Sequence, residues 1–307
     1  MARGGIVRGM RLDAEVTPVW PVSLPRLGWD RLARRRDEVV ERLVHLGGVP
    51  VTLRAWRSGR AVRLSVEAAD EGAAEEGLAR ARFWTAVDDD LRPFAERFGA
   101  DPVLGGSIRD APELRAARRP QPFEALIWAV CEQLITGEQA TAIQRRLIRR
   151  FGRRDAASGL DDAPGAADIA RLAPAALRSC DLSAGRSRAL IRAAGEVASG
   201  RVDLLDPAHR SEGHARLRAI PGIGEWTVAC LALHGQGDHD ALPAGDLAYR
   251  VLVGQVRAGR PQAPLASVEE VHEFFLPWAG WRALAGQHML RMGGPAVARA
   301  LLPAAVP

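Results

Sequence analysis

The stretch Leu217-Arg-Ala-Ile-Pro-Gly-Ile-Gly-Glu-Trp-Thr227 constrains this chain more than any other. Two glycines flank Ile223 in a turn too short for anything but a tight reversal, and apolar residues lie on both sides. Gly222 and Gly224 permit a backbone turn that side chains would obstruct. The pattern predicts two helices joined by a hairpin over residues 211–235, the second helix starting at about Glu225. Its first amides lack intrahelical partners and can face an anion. Such a hairpin suits a phosphate group, held by the backbone around Ile220, Gly222, Ile223, Gly224 and Glu225. An ordinary helix–helix loop is the bland alternative.

A carboxylate follows at a fixed distance. Asp246 lies 22 positions after Gly224, at the end of Leu242-Pro-Ala-Gly-Asp246 and just before the apolar run Leu247 to Val253. It is placed to cap the next helix, whose dipole favours the ionised form. A fixed carboxylate can stabilise positive charge that grows in a transition state. It can also orient or deprotonate water. An isolated aspartate here would be only a cap. A hairpin that merely binds DNA needs no such residue, so Asp246 separates an enzyme from a binding module.

Composition adds one exclusion. None of the 307 residues is lysine, so all 42 basic residues counted as Lys+Arg are arginine. A lysine Schiff base, and strand nicking through it, is ruled out. The net charge of +5 favours a polyanionic partner only weakly, and codon bias accounts for it equally well. Cys131, Cys180 and Cys230 fit neither a disulfide framework nor a C-x-x-C metal site. They are too few for an iron–sulfur cluster. No continuous apolar run suggests a leader or a membrane span, which points to a cytoplasmic protein.

Residues 1–90 mix strand and helix signals. Val51 to Trp56 and Ala61 to Val66 alternate, with the turn Arg57-Ser-Gly-Arg60 between them, and read as a β-hairpin. Leu32, Val39, Val40, Leu43 and Val44 suit a helix near 30–46 covering the sheet. From about residue 91 the strand pattern stops. Helices are expected at 123–134, 139–151, 183–199 (Ser183 as N-cap), 211–219, 225–235, 247–256, 267–276 and 281–292, with a loop from 152 to about 167. The expected class is α+β and mostly helical: an α+β N-terminal domain at 1–90 and an all-α core at 91–307.

Further residues extend the hairpin pattern over roughly 90–293. They are Phe123-Glu-Ala-Leu126, Glu132-Gln-Leu-Ile-Thr136, Cys180-Asp-Leu-Ser-Ala-Gly-Arg-Ser-Arg188, Ala198-Ser-Gly200 and Trp278-Ala-Gly-Trp281-Arg282 followed by His288. With the hairpin and Asp246 they resemble the helix-hairpin-helix DNA glycosylases, and DNA-3-methyladenine glycosylase II in particular. The resemblance implies a mixed sheet in the N-terminal domain and a monofunctional enzyme that flips an alkylated purine out of damaged double-stranded DNA and hydrolyses its glycosidic bond. It implies Asp246 as the catalytic carboxylate, Leu134 as the wedge with Gln133 beside it, and Trp226 where lyase-competent relatives carry lysine. It also implies a monovalent cation on hairpin carbonyls, no other metal or cofactor, and a monomer. Two pocket positions depart from the pattern: an expected tyrosine is Cys230 and an expected tryptophan is Leu290. Only Trp226 remains aromatic there, which puts the usual lesion spectrum in question. The alternatives are a monofunctional glycosylase for another lesion, such as a deaminated purine, and a catalytically silent damage sensor. Trp278 and Trp281 read as core. Arg282 suits either a phosphate or a carboxylate, and the arginines from Arg145 to Arg154 suit either a DNA-facing stripe or a solvated helix face.

Overall fold

Alternation in the first third of the chain produces a five-stranded sheet. Its strands are β1 (Met10–Val16), β2 (Ala33–Arg36), β3 (Val39–Leu46), β4 (Val49–Ser58) and β5 (Ala61–Ala68), in the order β1-β5-β4-β3-β2. The computed structural model describes residues 9–301. The first eight residues, part of the reading that found no leader, lie outside it. The expected hairpin is β4–β5, closed where Ser58 pairs with Ala61.

Two expectations are corrected here. Every pairing is antiparallel, so the sheet is not mixed. The helix expected near 30–46 is instead the β2–β3 hairpin, turned at Asp37 with φ 52°. Val40–Val44 are buried without a break. Consecutive strand residues point to opposite faces, so this strand is covered on both sides and shows no alternation. The covering helix is α1 (Glu71–Thr85), capped by Asp70 and packed through Ala74, Ala81 and Trp84.

The remainder is helical apart from a two-residue ladder, β6 (Arg153–Arg154) with β7 (Asp161–Asp162), inside the expected loop. The helices are α2 (Arg92–Phe98), α3 (Leu104–Asp110), α4 (Pro122–Glu132), α5 (Gly137–Phe151), α6 (Ala166–Ala170), α7 (Pro174–Arg178), α8 (Ala184–Ala198), α9 (Arg210–Arg218), α10 (Glu225–Cys230), α11 (Leu247–Ala258), α12 (Val268–Phe275), α13 (Arg282–Met292) and α14 (Gly294–Leu301). Their ends follow local signals. Pro122 opens α4, Thr136 and Gln139 form a capping box on α5, and Ser183 caps α8. A single π turn, Leu231–Gly235, extends α10.

Three apolar clusters hold these elements. One joins the sheet to α1. A second gathers α4, α5, the hairpin and α8 around Leu126, Leu147, Leu190, Leu217 and Ile223. A third gathers α2, α3 and α11–α14 around Phe94, Leu252 and Phe275. The N-terminal segment reaches both helical clusters, with Leu32 in one and Trp20 against the other.

Candidate active site

The hairpin is built from a few local bonds. Ile223 N donates to Ile220 O at 2.9 Å, and both side chains are buried. Gly222 takes φ +95°, and a Cβ there would come within 3.1 Å of Ala189 Cβ, so glycine is required twice over. Gly224 caps α10 with extended backbone and open space around it. That open space is what a close approach to the backbone needs.

Asp246 sits where the two helical clusters meet. α10 packs into one through Val228, and α11 into the other through Leu252 and Val253. Asp246 caps α11, with Oδ1 accepting from Ala248 N at 2.9 Å. Its Oδ2 accepts from Trp226 Nε1 at 3.3 Å. The carboxylate therefore holds one orientation, tied across the junction by the indole.

Cys230 lies four residues beyond Trp226 and is buried. Burial, reinforced by the charges of Glu132 and Asp246, holds its thiol far above the ordinary value, so it stays neutral. Leu290 is half-buried on α13 and packs against the third cluster. Tyr249 of α11 is buried and accepts from Gln287 Nε2 at 3.1 Å.

The loop between α4 and α5 is unusual. Leu134 has φ 56° and is fully exposed, at 103% of its reference area. Left-handed backbone is costly for a leucine, and its apolar side chain gains nothing from burial here. Neighbouring Gln133 uses its amide to bond Gly222 O and Thr227 Oγ1, both at 2.8 Å. Arg186 Nη1 donates to Cys131 O at 2.8 Å, fixing the end of α4. The loop is thus clamped to the hairpin from beneath while Leu134 projects outward.

The terminal signature is structural. Trp278 is buried and donates to Asp101 Oδ2 at 3.2 Å. Trp281 stacks on His239 at 5.7 Å. Arg282 grips Asp240, with Nε to Oδ1 at 2.9 Å, which decides between the two roles open to it. Buried His288 stacks on Phe94 at 5.6 Å; desolvation depresses its pKa to about 4 and keeps it neutral. Most of the Arg145–Arg154 group is paired within the chain: Arg145 with Trp29 O, Arg146 with Asp181, Arg153 with Asp168 and Arg154 with Asp161. That favours a solvated face over a free stripe.

Sequence reasoning missed two contributors. Thr227 supports Gln133, and Glu132 ends α4 beside the loop. A carboxylate closing a helix buried from Pro122 to Cys131 was the available signal.

A hairpin turn anchored by buried Ile220 and Ile223, a capping carboxylate tied to an indole, and a clamped loop bearing one exposed leucine make up the site. Together with the helical clusters they resemble the helix-hairpin-helix DNA glycosylases. The chain has 21% identity to the 3-methyladenine DNA-glycosylase from Archaeoglobus fulgidus and a TM-score of 0.73, covering 90% of this chain and 97% of that one. In sequence it resembles the DNA-3-methyladenine glycosylase of Bacillus subtilis, at 28% identity over 68% of this chain and 69% of the relative. It is also 29% identical to the probable bifunctional transcriptional activator/DNA repair enzyme AlkA of Mycobacterium tuberculosis, over 69% of this chain but 41% of that protein. The chain therefore spans less than half the length of that relative. No protein-family model matches it.

Proposed function

We propose that this chain is a monofunctional DNA glycosylase that flips alkylated purines of the 3-methyladenine type out of double-stranded DNA and hydrolyses their glycosidic bonds. The observation that carries this reading is Asp246, oriented by Trp226 and Ala248 beside the hairpin. As the bond from C1′ to the base lengthens, positive charge gathers on the sugar. A preorganised carboxylate stabilises it and takes a proton from the attacking water. A cationic alkylated base leaves readily, so little further assistance is needed.

Leu134 fills the gap left by the flipped nucleotide, with Gln133 beside it. Trp226 stacks on the base, and Cys230 and Leu290 complete the pocket. The backbone of Ile220 and of Gly222 to Glu225 receives a phosphate. The carbonyls of Ile220 and Gly222 each accept one hydrogen bond and keep a second lone pair, which suits a monovalent cation. We also propose a division near residue 90, supported by the separate apolar cluster of the sheet and α1.

The test is single-turnover base release from methylated duplex DNA. Asp246→Asn is expected to lose activity about a hundredfold or more while binding DNA within a few-fold of wild type. A variant retaining more than about a tenth of the rate contradicts the role. With no lysine to form an imine, the pure protein should leave abasic DNA uncut until alkali is added. Borohydride trapping of a protein–DNA adduct would overturn that expectation.

A further inference from the structure

The N-terminal half of α8 carries charge that nothing in the chain takes up. Arg188 and Arg192 are both exposed, and among the described residues neither forms an ion pair. Other arginines on or around this helix are neutralised. Arg146 pairs with Asp181, and Arg201 and Arg216 share Glu196, each with Nη2 on its carboxylate, at 2.8 and 3.0 Å. Glu196 is the one acidic residue of α8 and stands near its far end, so no acid remains for the first three turns. Arg188 and Arg192 are neighbours on one face, one turn apart at about 3.6 residues per turn. Two like charges at that spacing repel each other and weaken a helix.

Direct contacts fix where this face lies. Ala189, the residue after Arg188, is buried against the hairpin, where a Cβ on Gly222 would come within 3.1 Å of Ala189 Cβ. Ala189 and Leu190 share the apolar cluster that holds Ile220 and Ile223. Arg186 donates Nη1 to Cys131 O at 2.8 Å and to Gln133 O at 3.4 Å, which ties α8 to the loop that carries Leu134. Gln133 in turn bonds Gly222 O at 2.8 Å. Hairpin, loop and α8 form one closed set of contacts. Arg188 and Arg192 leave the helix on a single flank of Ala189, roughly a quarter turn from the side chain that meets Gly222. They stand beside the hairpin.

We propose that Arg188 and Arg192 form a second phosphate-binding element, which grips the sugar–phosphate backbone of the duplex next to the phosphate received by the hairpin. This rests on the glycosylase reading above and extends it. The hairpin offers neutral amides. From Ala219 to Ala229 it has no cationic side chain and one acid, Glu225. Release of counterions from DNA needs cations, so the charge has to come from a neighbouring element. A guanidinium stays charged and forms two parallel hydrogen bonds to a phosphate. The bound backbone also relieves the repulsion within the pair. Contacts of this kind set the register of the duplex and read no sequence.

The experiment measures binding of an undamaged duplex at several salt concentrations between roughly 50 and 200 mM KCl. Wild type is compared with three double variants. Arg188→Gln with Arg192→Gln should make the log–log salt slope shallower by about 1.8, two phosphates at about 0.9 each. Arg188→Lys with Arg192→Lys keeps the charge and should hold the slope within about 0.5 of wild type. Arg201→Gln with Arg216→Gln removes the same formal charge from the Glu196 pairs and should also stay within about 0.5. The glutamine pair on α8 should melt no lower than wild type, because it removes a repulsion. A slope change there of less than about 0.9 overturns the proposal, as does an equal change in the Arg201 and Arg216 control. A lower melting temperature makes the two arginines structural and overturns it too. A wild type that releases 3-methyladenine and binds with a steep slope that the glutamine pair leaves intact overturns this inference alone. A wild type that neither binds the duplex nor releases the base overturns the glycosylase reading with it.

Discussion

Trp226 serves two neighbours at once. Its indole nitrogen orients Asp246, and its ring is the one aromatic surface among the three proposed pocket positions. Base–aromatic stacking contributes roughly 1–3 kcal/mol. Trp226→Ala should therefore slow release of 3-methyladenine by about tenfold or more. Single-turnover excision measured alongside melting temperature separates this from simple packing. A lower melting temperature with intact chemistry per folded molecule would refute the stacking role. The residue itself was legible, because it stands two positions after Gly224, where the resemblance places a pocket residue. Its bond to a carboxylate 20 residues away was not, since periodicity says nothing about where an indole nitrogen points.

At the level of elements, the α4–α5 loop carries the clearest local strain. Leu134 accepts left-handed backbone, at a cost of about 1–2 kcal/mol, to stand fully exposed. Leu134→Gly should keep or slightly raise the melting temperature, because glycine adopts that backbone freely. It should slow excision, because the wedge is gone. A protein that melts lower yet excises normally would make Leu134 a packing residue instead. Two helix starts were readable because caps act within four residues, Ser183 with Arg186 and Asp246 with Ala248, whereas the Thr136–Gln139 box starts α5 two residues before the expected 139. The segment near 30–46 was misread for the opposite reason. Val39, Val40, Leu43 and Val44 fit a helical face as well as a strand buried on both sides, and only the neighbouring strands and α1 distinguish them.

Across the whole molecule, the sheet is fastened to the helices by charge as well as by apolar contact. Arg42 of β3 pairs with Glu124 of α4, both almost fully buried, and Glu124 also accepts from Trp128 at 3.0 Å. Arg119 reaches Asp30 at 2.5 Å beside them. Removing one partner of a buried pair leaves an uncompensated charge and costs about 3–5 kcal/mol. Arg42→Ala should therefore lower unfolding free energy by about that much. Arg63→Ala, which breaks an exposed pair with Glu15, should cost about 1 kcal/mol or less. Denaturant titration of both variants checks the contrast, and equal losses would show that Arg42 does not anchor the sheet. By itself, the sequence determined the hairpin, the capping aspartate, the approximate bounds of the eight helices expected between 123 and 292, and the exclusion of lysine chemistry, all set by neighbours in the chain. Tertiary structure alone decided that Gln133 clamps a hairpin 89 residues away and that Arg282 holds Asp240. Those contacts depend on how three apolar clusters pack, and side-chain direction across such junctions is not written in local periodicity.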